Sequence, residues 1–138
     1  MTSQLPSVLL VEDSEPIRTA FTILLEETGY LVHAAEDGIE AVRTATEHEP
    51  DLVLLDMGLP GMDGLDVVRA LKGQPSTAEI PVIALTGRDD AGSRRACMQA
   101  GCAEYIIKPI NTQALLRTVA QHLRRAPAST DTPTPSAP

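Results

Sequence analysis

The stretch LVLLDMGLPGMDG, residues 52–64, decides how the rest of the chain is interpreted. Four large apolar residues lead into a carboxylate, Asp56, and then into a loop that holds Gly58, Gly61 and Gly64. A short apolar run bounded by turn residues is typical of a strand buried on both faces, as in a parallel sheet. Such a strand would carry Asp56 to the edge of the sheet, where the glycines leave mostly backbone around it.

Further apolar runs share this pattern, and each is followed by a segment with helical periodicity. Strands that alternate with helices, without a hairpin signal between them, predict an α/β fold. We therefore expect a doubly wound parallel sheet of five strands with helices on both faces. The predicted strands are SVLLVED (7–13), YLVHAA (30–35), DLVLLD (51–56), PVIALTG (81–87) and EYIIKP (104–109).

The helical segments carry apolar stripes that should face the core. In the first two helices these stripes are Ile17, Phe21, Leu24 and Leu25, and then Ile39, Val42 and Ala45.

Composition limits both the size of the protein and its partners. The 138 residues carry a formal net charge of −8 and are 43% hydrophobic, which suits one ordinary domain with a core. A nucleic-acid partner needs a basic face, so direct binding to nucleic acid is not expected. Residues 126–138 hold four prolines and no large apolar residue. We expect a domain at 1–125 and a disordered tail or linker stub at 126–138.

The two cysteines, Cys97 and Cys102, lie five residues apart near the end of a predicted helix. This spacing favours small buried thiols over a disulfide framework or a metal site. The N-terminus has no basic stretch followed by a long apolar segment, and no apolar run is long enough to span a bilayer. These features predict a soluble protein of the reducing cytoplasm.

Polar residues stand at the carboxyl ends of four predicted strands: Glu12 and Asp13, Asp56, Thr86, and Lys108. Ligands of an open parallel sheet bind at that edge. Three carboxylates close together repel one another unless a cation offsets them, and Lys108 and a divalent metal can both serve. Mg²⁺ suits a site with few carboxylates, water and phosphate oxygens. This set has the chemistry for phosphoryl transfer to an aspartate nucleophile.

The motifs VLLVED, LLDMGLPGMDG, IALTG and YIIKPI, in this order and spacing, resemble the receiver domain of two-component response regulators, including the chemotaxis receivers. The resemblance covers residues 8–123 and implies a flavodoxin-like fold with strand order 2-1-3-4-5. It implies that Asp56 is the phosphorylated residue. It also implies that Asp13, Asp56 and the backbone carbonyl of Gly58 bind Mg²⁺ or Mn²⁺, with Glu12 acting through water.

The resemblance also gives roles to the other half of this edge. Thr86, Gly87 and Lys108 would contact the phosphoryl group, and Tyr105 stands at the switch-aromatic position, although a plain surface-facing ring is the alternative. The bond between Lys108 and Pro109 is typically cis in relatives. On phosphorylation Thr86 would move and the ring would turn inward, which remodels the face of the fourth helix, fifth strand and fifth helix.

The implied phosphoryl donor is a sensor histidine kinase or a histidine phosphotransfer protein. Either a downstream protein would bind the switching face, or the phosphoryl group would be relayed onward. The protein would act as a monomer or as a phosphorylation-dependent dimer. Beyond catalysing its own phosphorylation and dephosphorylation, the domain is not expected to be an enzyme. A stand-alone receiver and the receiver part of a longer regulator, with an effector domain after residue 138, both stay open.

Some positions depart from the family pattern. Glu12 stands where relatives often have Asp, and Gly58 has no side chain where many have a large or polar one. The space at Gly58 could admit water to an aspartyl phosphate. Arg88, two residues after Thr86, could shield the phosphoryl group or could simply be solvated. We predict that Gly58 and Arg88 set the phosphoryl lifetime.

Other functional classes fit less well. A haloacid-dehalogenase-type phosphatase also uses an aspartate nucleophile with Mg²⁺, but it needs a second Asp at the position of Gly58. A flavin or nucleotide binder would need a glycine-rich phosphate motif, which follows none of the strands. His33, His48 and His122 share no strand end and are interpreted as structural or surface residues.

Overall fold

The fold follows the predicted order of strands and helices, as a computed structural model of the protein shows for residues 5–59 and 61–124. Five strands alternate with five helices along the chain. The elements are β1 (Ser7–Val11), α1 (Glu15–Thr28), β2 (Leu31–Ala35), α2 (Gly38–His48), β3 (Leu52–Asp56), α3 (Gly64–Lys72), β4 (Val82–Thr86), α4 (Ala91–Ala100), β5 (Glu104–Ile107) and α5 (Thr112–Arg124).

The five strands form one parallel sheet in the order β2-β1-β3-β4-β5. This confirms the predicted α/β class and the strand order implied by the resemblance. One face of the sheet is covered by α2, α3 and α4, and the other by α1 and α5. The predicted tail at 126–138 lies outside the described residues.

The central strand β3 is buried along its whole length. Leu52 and Leu54 pack with α1 and α5, whereas Val53 and Leu55 pack with the helices of the opposite face. Burying one such side chain is worth about 1.5–3 kcal/mol, so this strand resists any shift in register. Asp56, its last residue, is therefore delivered to a fixed place at the edge of the sheet.

The inward faces of α1 and α2 differ from the prediction. Ile17 is 45% exposed and Ile39 is 69% exposed. In α2 the core-facing residues are Gly38, Ala41 and Ala45, which let the helix approach α3 closely. A Cβ added at Gly38 would lie 2.8 Å from a methyl carbon of Val67. Ala45 belongs to the predicted stripe and is buried as expected. Gly38 and Ala41 do not, because a hydropathy stripe gives little weight to small residues, and this explains why Ile39 was wrongly placed inward.

The predicted interpretation of Cys97 and Cys102 as buried thiols is confirmed. Helix α4 ends at Gly101, which has a φ of 118°. The Cys102 amide then donates to the Cys97 carbonyl at 3.1 Å, a helix ending in which the side chains of these two positions commonly touch. Burial raises the pKa of Cys97 and raises that of Cys102 to about 12. No helix in residues 5–59 and 61–124 combines the length and apolarity needed to cross a membrane.

Candidate functional site

The carboxyl ends of the strands bring the predicted site residues together. Glu12 and Asp13 follow β1, Asp56 ends β3, and Lys108 follows β5. The three acidic residues each offer a carboxylate oxygen within 4.8 Å of the others. Lys108 Nζ lies 3.0 Å from Asp56 Oδ1, so an ammonium group borders the acidic cluster on the β5 side.

Asp56 is only 4% exposed, yet its carboxylate is well supported. Oδ1 accepts hydrogen bonds from the Gly58 amide at 2.9 Å and from Lys108 Nζ at 3.0 Å. Among residues 5–59 and 61–124, no donor is found on the other oxygen, Oδ2. One oxygen therefore fixes the orientation of the group, and the other keeps its lone pairs for a new bond.

Glu12 is a buried carboxylate beside the other two acidic residues. It is 5% exposed, and its Oε2 accepts from the Ser14 amide at 3.0 Å. Burial raises the pKa of Glu12 and the charge of Asp56 adds to this, although the Ser14 hydrogen bond and Lys108 act in the opposite direction. A hard cation ligated by oxygen would relieve this repulsion, so the donor set fits Mg²⁺ or Mn²⁺.

Thr86 and Tyr105 are connected through one short segment. Thr86 Oγ1 accepts from the Arg88 amide at 3.0 Å, and the Tyr105 hydroxyl donates to the Arg88 carbonyl at 2.6 Å. The Tyr105 residue is 7% exposed, so the alternative of a surface-facing ring is wrong. Gly87, which lies between Thr86 and Arg88 in the sequence, is exposed, and no atom lies within 4 Å of the position that its Cβ would take. The bond between Lys108 and Pro109 is cis.

Arg88 is exposed and lies near the start of α4. Hydrogen bonds from Ser93 lower the pKa of Asp90, the N-cap of α4, and the charge of Arg88 lowers it further. The Arg88 backbone is held by Thr86 and Tyr105, and the residue lines the cleft beside Asp56.

An open cleft of about 780 Å³ extends from Asp56 between the loop after β3 and α4. Leu59 and Leu65 line one side, and Ser93 and Ala96 line the other. A Cβ at Gly58 would meet a single neighbouring atom, Asp56 Oδ1 at 3.5 Å. The phosphoacceptor candidate is therefore open toward solvent at this position.

Sequence reasoning missed two arginines near the site. Arg18 of α1 donates from Nη1 to the Glu12 carbonyl at 2.9 Å, and Arg94 of α4 lies over the Tyr105 ring, 5.0 Å from its centre. The available signal was helical spacing, since Arg18 shares a face with Phe21 and Leu25 in the sequence.

The histidines lie outside this site. His33 and His48 stack on each other, with ring centres 4.3 Å apart. His122 Nε2 lies 3.1 Å from Glu104 Oε2, at the start of β5 and thus away from the carboxyl edge.

Comparisons with known proteins agree with this arrangement. The sequence model of the response regulator receiver domain matches residues 8–120. The polar-differentiation response regulator DivK of Brucella anthropi is 39% identical over 117 residues, which cover 85% of this chain and 95% of that protein. The DivK of Brucella ovis matches to the same extent.

Solved structures show the same similarity. One is the receiver domain of the sensor histidine kinase PA1611 from Pseudomonas aeruginosa, with a magnesium ion coordinated in its active site cleft. It is 35% identical, with a TM-score of 0.80, over 88% of this chain and 99% of that one. The chemotaxis response regulator CheY4 of Vibrio cholerae is 29% identical, with a TM-score of 0.81, over 86% and 99% of the two chains. This chain belongs to the response regulator receiver domain family.

Proposed function

We propose that this receiver domain accepts a phosphoryl group on Asp56 from a phosphohistidine of a sensor histidine kinase or a histidine phosphotransfer protein. The observation that carries the proposal is the set of contacts around the Asp56 carboxylate. This group is buried and its Oδ1 is oriented by Lys108 and the Gly58 amide, and the residue lines an open cleft. Family membership supports the same reaction.

In the transfer, an Asp56 carboxylate oxygen forms a bond to phosphorus while the bond from phosphorus to the histidine nitrogen breaks. The leaving imidazole takes its proton from water. Lys108 and the Thr86 hydroxyl stabilise the negative charge on the phosphoryl oxygens. Asp13, Asp56 and the Gly58 carbonyl would hold Mg²⁺ or Mn²⁺, with Glu12 bound through water. When bound, the metal supplies further neutralisation of this charge.

The same contacts supply a route from Asp56 to the surface. Thr86 Oγ1 already accepts from the Arg88 amide, which leaves its proton free to be donated to a phosphoryl oxygen. A movement of Thr86 would pull the Arg88 segment, whose carbonyl is bound by Tyr105. We infer that the face formed by α4, β5 and α5 changes with phosphorylation and then binds a downstream protein or takes part in a relay.

Phosphorylation by a small donor tests the acceptor directly. With acetyl phosphate and Mg²⁺, the wild-type chain should gain one phosphoryl group, measured by intact mass under conditions that preserve acyl phosphates. Asp56→Asn should gain none. Asp66→Asn is a matched control, because Asp66 is an exposed residue of α3. Equal phosphorylation of Asp56→Asn and wild type would overturn the proposal.

The lifetime of the phosphoryl group tests the roles of Gly58 and Arg88. The open space at Gly58 gives water access to an acyl phosphate, so Gly58→Asn should slow its hydrolysis. Arg88→Ala should change the same rate by removing a charged side chain from the lining of the cleft beside Asp56. The measurement is the decay of phosphorylated protein after the donor is removed. Decay rates indistinguishable from wild type in both variants would exclude this role.

One experiment can identify the phosphoryl donor and can also distinguish a relay of phosphate from output through a downstream protein. Phosphotransfer profiling against the histidine kinases and phosphotransfer proteins of the host should identify one preferred donor. Transfer of phosphate back from Asp56 to a phosphotransfer protein would support a relay, whereas a stable phosphorylated form that captures another protein would support output.

A further inference from the structure

Arg18 contacts backbone carbonyls, not carboxylates, beside the acidic cluster. Its Nη1 donates to the Glu12 carbonyl at 2.9 Å and reaches the Asp13 carbonyl at 3.4 Å. Two carboxylates belong to the same two residues, yet Arg18 forms no ion pair with any of the described residues. The guanidinium therefore binds the backbone of the turn rather than its side chains.

The position of Arg18 in α1 explains how it reaches this turn. The residue is half-buried and shares the inward side of the helix with Phe21 and Leu25. At the start of α1 the sheet has ended, so a long side chain at this position meets the turn after β1 instead of the core. The planar guanidinium has its donors in a fixed geometry, which suits two neighbouring carbonyl oxygens.

Other hydrogen bonds hold this turn from different directions. The Glu12 amide donates to the Ala35 carbonyl of β2 at 3.0 Å, and the Ser14 amide donates to Glu12 Oε2 at 3.0 Å. These bonds fix the entry to the turn and the Glu12 side chain. The Glu12 carbonyl accepts from Arg18 at 2.9 Å and the Asp13 carbonyl lies within a longer 3.4 Å of the same nitrogen, so Arg18 contacts the backbone from which the Asp13 side chain projects.

We propose that Arg18 is a positioning residue for the divalent cation. It fixes the backbone of residues 12 and 13 so that both carboxylates stay close to Asp56, within the 4.8 Å cluster. The proposal rests on the proposed function in one respect, namely that this cluster binds Mg²⁺. Residues that orient metal ligands from behind typically change metal affinity by about 10–100-fold when they are replaced.

The charge of Arg18 makes the test decisive, because the two possible effects have opposite signs. A guanidinium near the cluster repels a second cation, so a purely electrostatic effect would make Arg18→Ala bind Mg²⁺ more tightly. A positioning role predicts weaker binding, since the carboxylates lose their fixed arrangement. The direction of the change in Kd therefore separates the two.

The experiment measures the Kd for Mg²⁺ by isothermal titration calorimetry on the full chain, together with the melting temperature of the metal-free protein. Arg18→Ala should raise the Kd about tenfold. Arg18→Lys keeps one donor and the charge, so it should recover part of the affinity and preserve the fold if the alanine variant is unstable. Arg43→Ala removes an exposed arginine from α2 and should change the Kd by less than about twofold.

An Arg18→Ala Kd that is unchanged or lower than that of wild type would overturn the positioning role. A change in Kd of the same size and direction as that of Arg43→Ala would do the same, because it would not be specific to the position of Arg18. Failure of the wild-type chain to bind Mg²⁺ would instead overturn the proposed metal site itself, and with it this inference.

Discussion

The cleft beside Asp56 is lined on one side by the loop that leads into α3, with Leu65 of that helix, and on the other side by α4. We call these sides the α3 wall and the α4 wall, and their two helices are attached to the protein very differently. α3 buries Gly64, Val67, Val68 and Leu71, whereas α4 buries Cys97 alone. α3 is therefore part of the hydrophobic core, whereas α4 packs against the core through one buried side chain. In the proposed switch, a change at Asp56 would therefore move α4 at smaller cost than α3.

The beginnings of the two helices show the same contrast. A Cβ at Gly64, the first residue of α3, would lie 2.8 Å from the sulfur of Met57 and 3.1 Å from its Cα, so α3 starts in direct contact with the residue after Asp56. The start of α4 is reached through polar contacts instead, in which Tyr105 binds the Arg88 carbonyl and Arg94 lies over the Tyr105 ring.

The largest expected effect comes from weakening the α3 wall. Leu71→Ala removes a fully buried side chain and leaves a cavity, which should cost about 2–5 kcal/mol of unfolding free energy. The measurement is chemical denaturation with circular dichroism. Cys97→Ala, at the most buried position of α4, is the matched variant, and it should cost only about 1 kcal/mol because it removes a single sulfur atom. If both variants lose the same stability, the two walls are equally anchored.

A smaller effect is expected from loosening the α4 wall at Tyr105. Tyr105→Phe removes the hydrogen bond to the Arg88 carbonyl but keeps the ring, at a cost of about 1 kcal/mol. Local opening of α4 should then be about fivefold more frequent. The rate at which a thiol reagent labels Cys97 and Cys102 in the native protein reports this opening. An unchanged labelling rate would mean that this hydrogen bond does not restrain α4.

The pH dependence of labelling serves as the control for this measurement. Burial raises the pKa of Cys102 to about 12 and also raises that of Cys97, so the closed protein contains little reactive thiolate at neutral pH. In an opened α4 the thiols return to their ordinary pKa of 9.0. Labelling through opening should therefore rise with pH and level off above that value. A rate that continues to rise toward pH 12 would indicate reaction in the closed state.

The contrast between the walls was only partly predictable from sequence. Continuous apolar runs such as 52–55 favour buried parallel strands, because they are short and bounded by turn residues. Since the ends of parallel strands meet at one edge, the proximity of Asp56 and Lys108 followed from the strand assignments. The close fit of α2 and α3 at Gly38 did not, because it depends on the absence of a side chain.

The contacts of the two arginines were missed for a different reason, although helical spacing placed Arg18 on the inward side of α1. A charged residue on a predicted helix is expected to be solvated, and its contacts depend on how far the helix is rotated and which rotamer it adopts. Arg18 reaches backbone carbonyls and Arg94 reaches an aromatic face, and neither partner lies within the arginine's own helix. The roles predicted for the residues at the strand ends remain predictions until the phosphorylation experiments are done.

The smallest expected effect concerns Arg94 and refines the account of the α4 wall. A guanidinium over a tyrosine ring at an exposed site is worth about 0.5–1 kcal/mol, so Arg94→Gln should speed thiol labelling roughly two- to fivefold. Arg95→Gln is a close control, because it removes a neighbouring exposed arginine from the same helix and changes the helix dipole interaction equally. If both variants label faster than wild type by the same factor, charge near the start of α4 matters and the contact with Tyr105 does not. If Arg94→Gln alone is faster, the contact between Arg94 and the Tyr105 ring holds α4 in place.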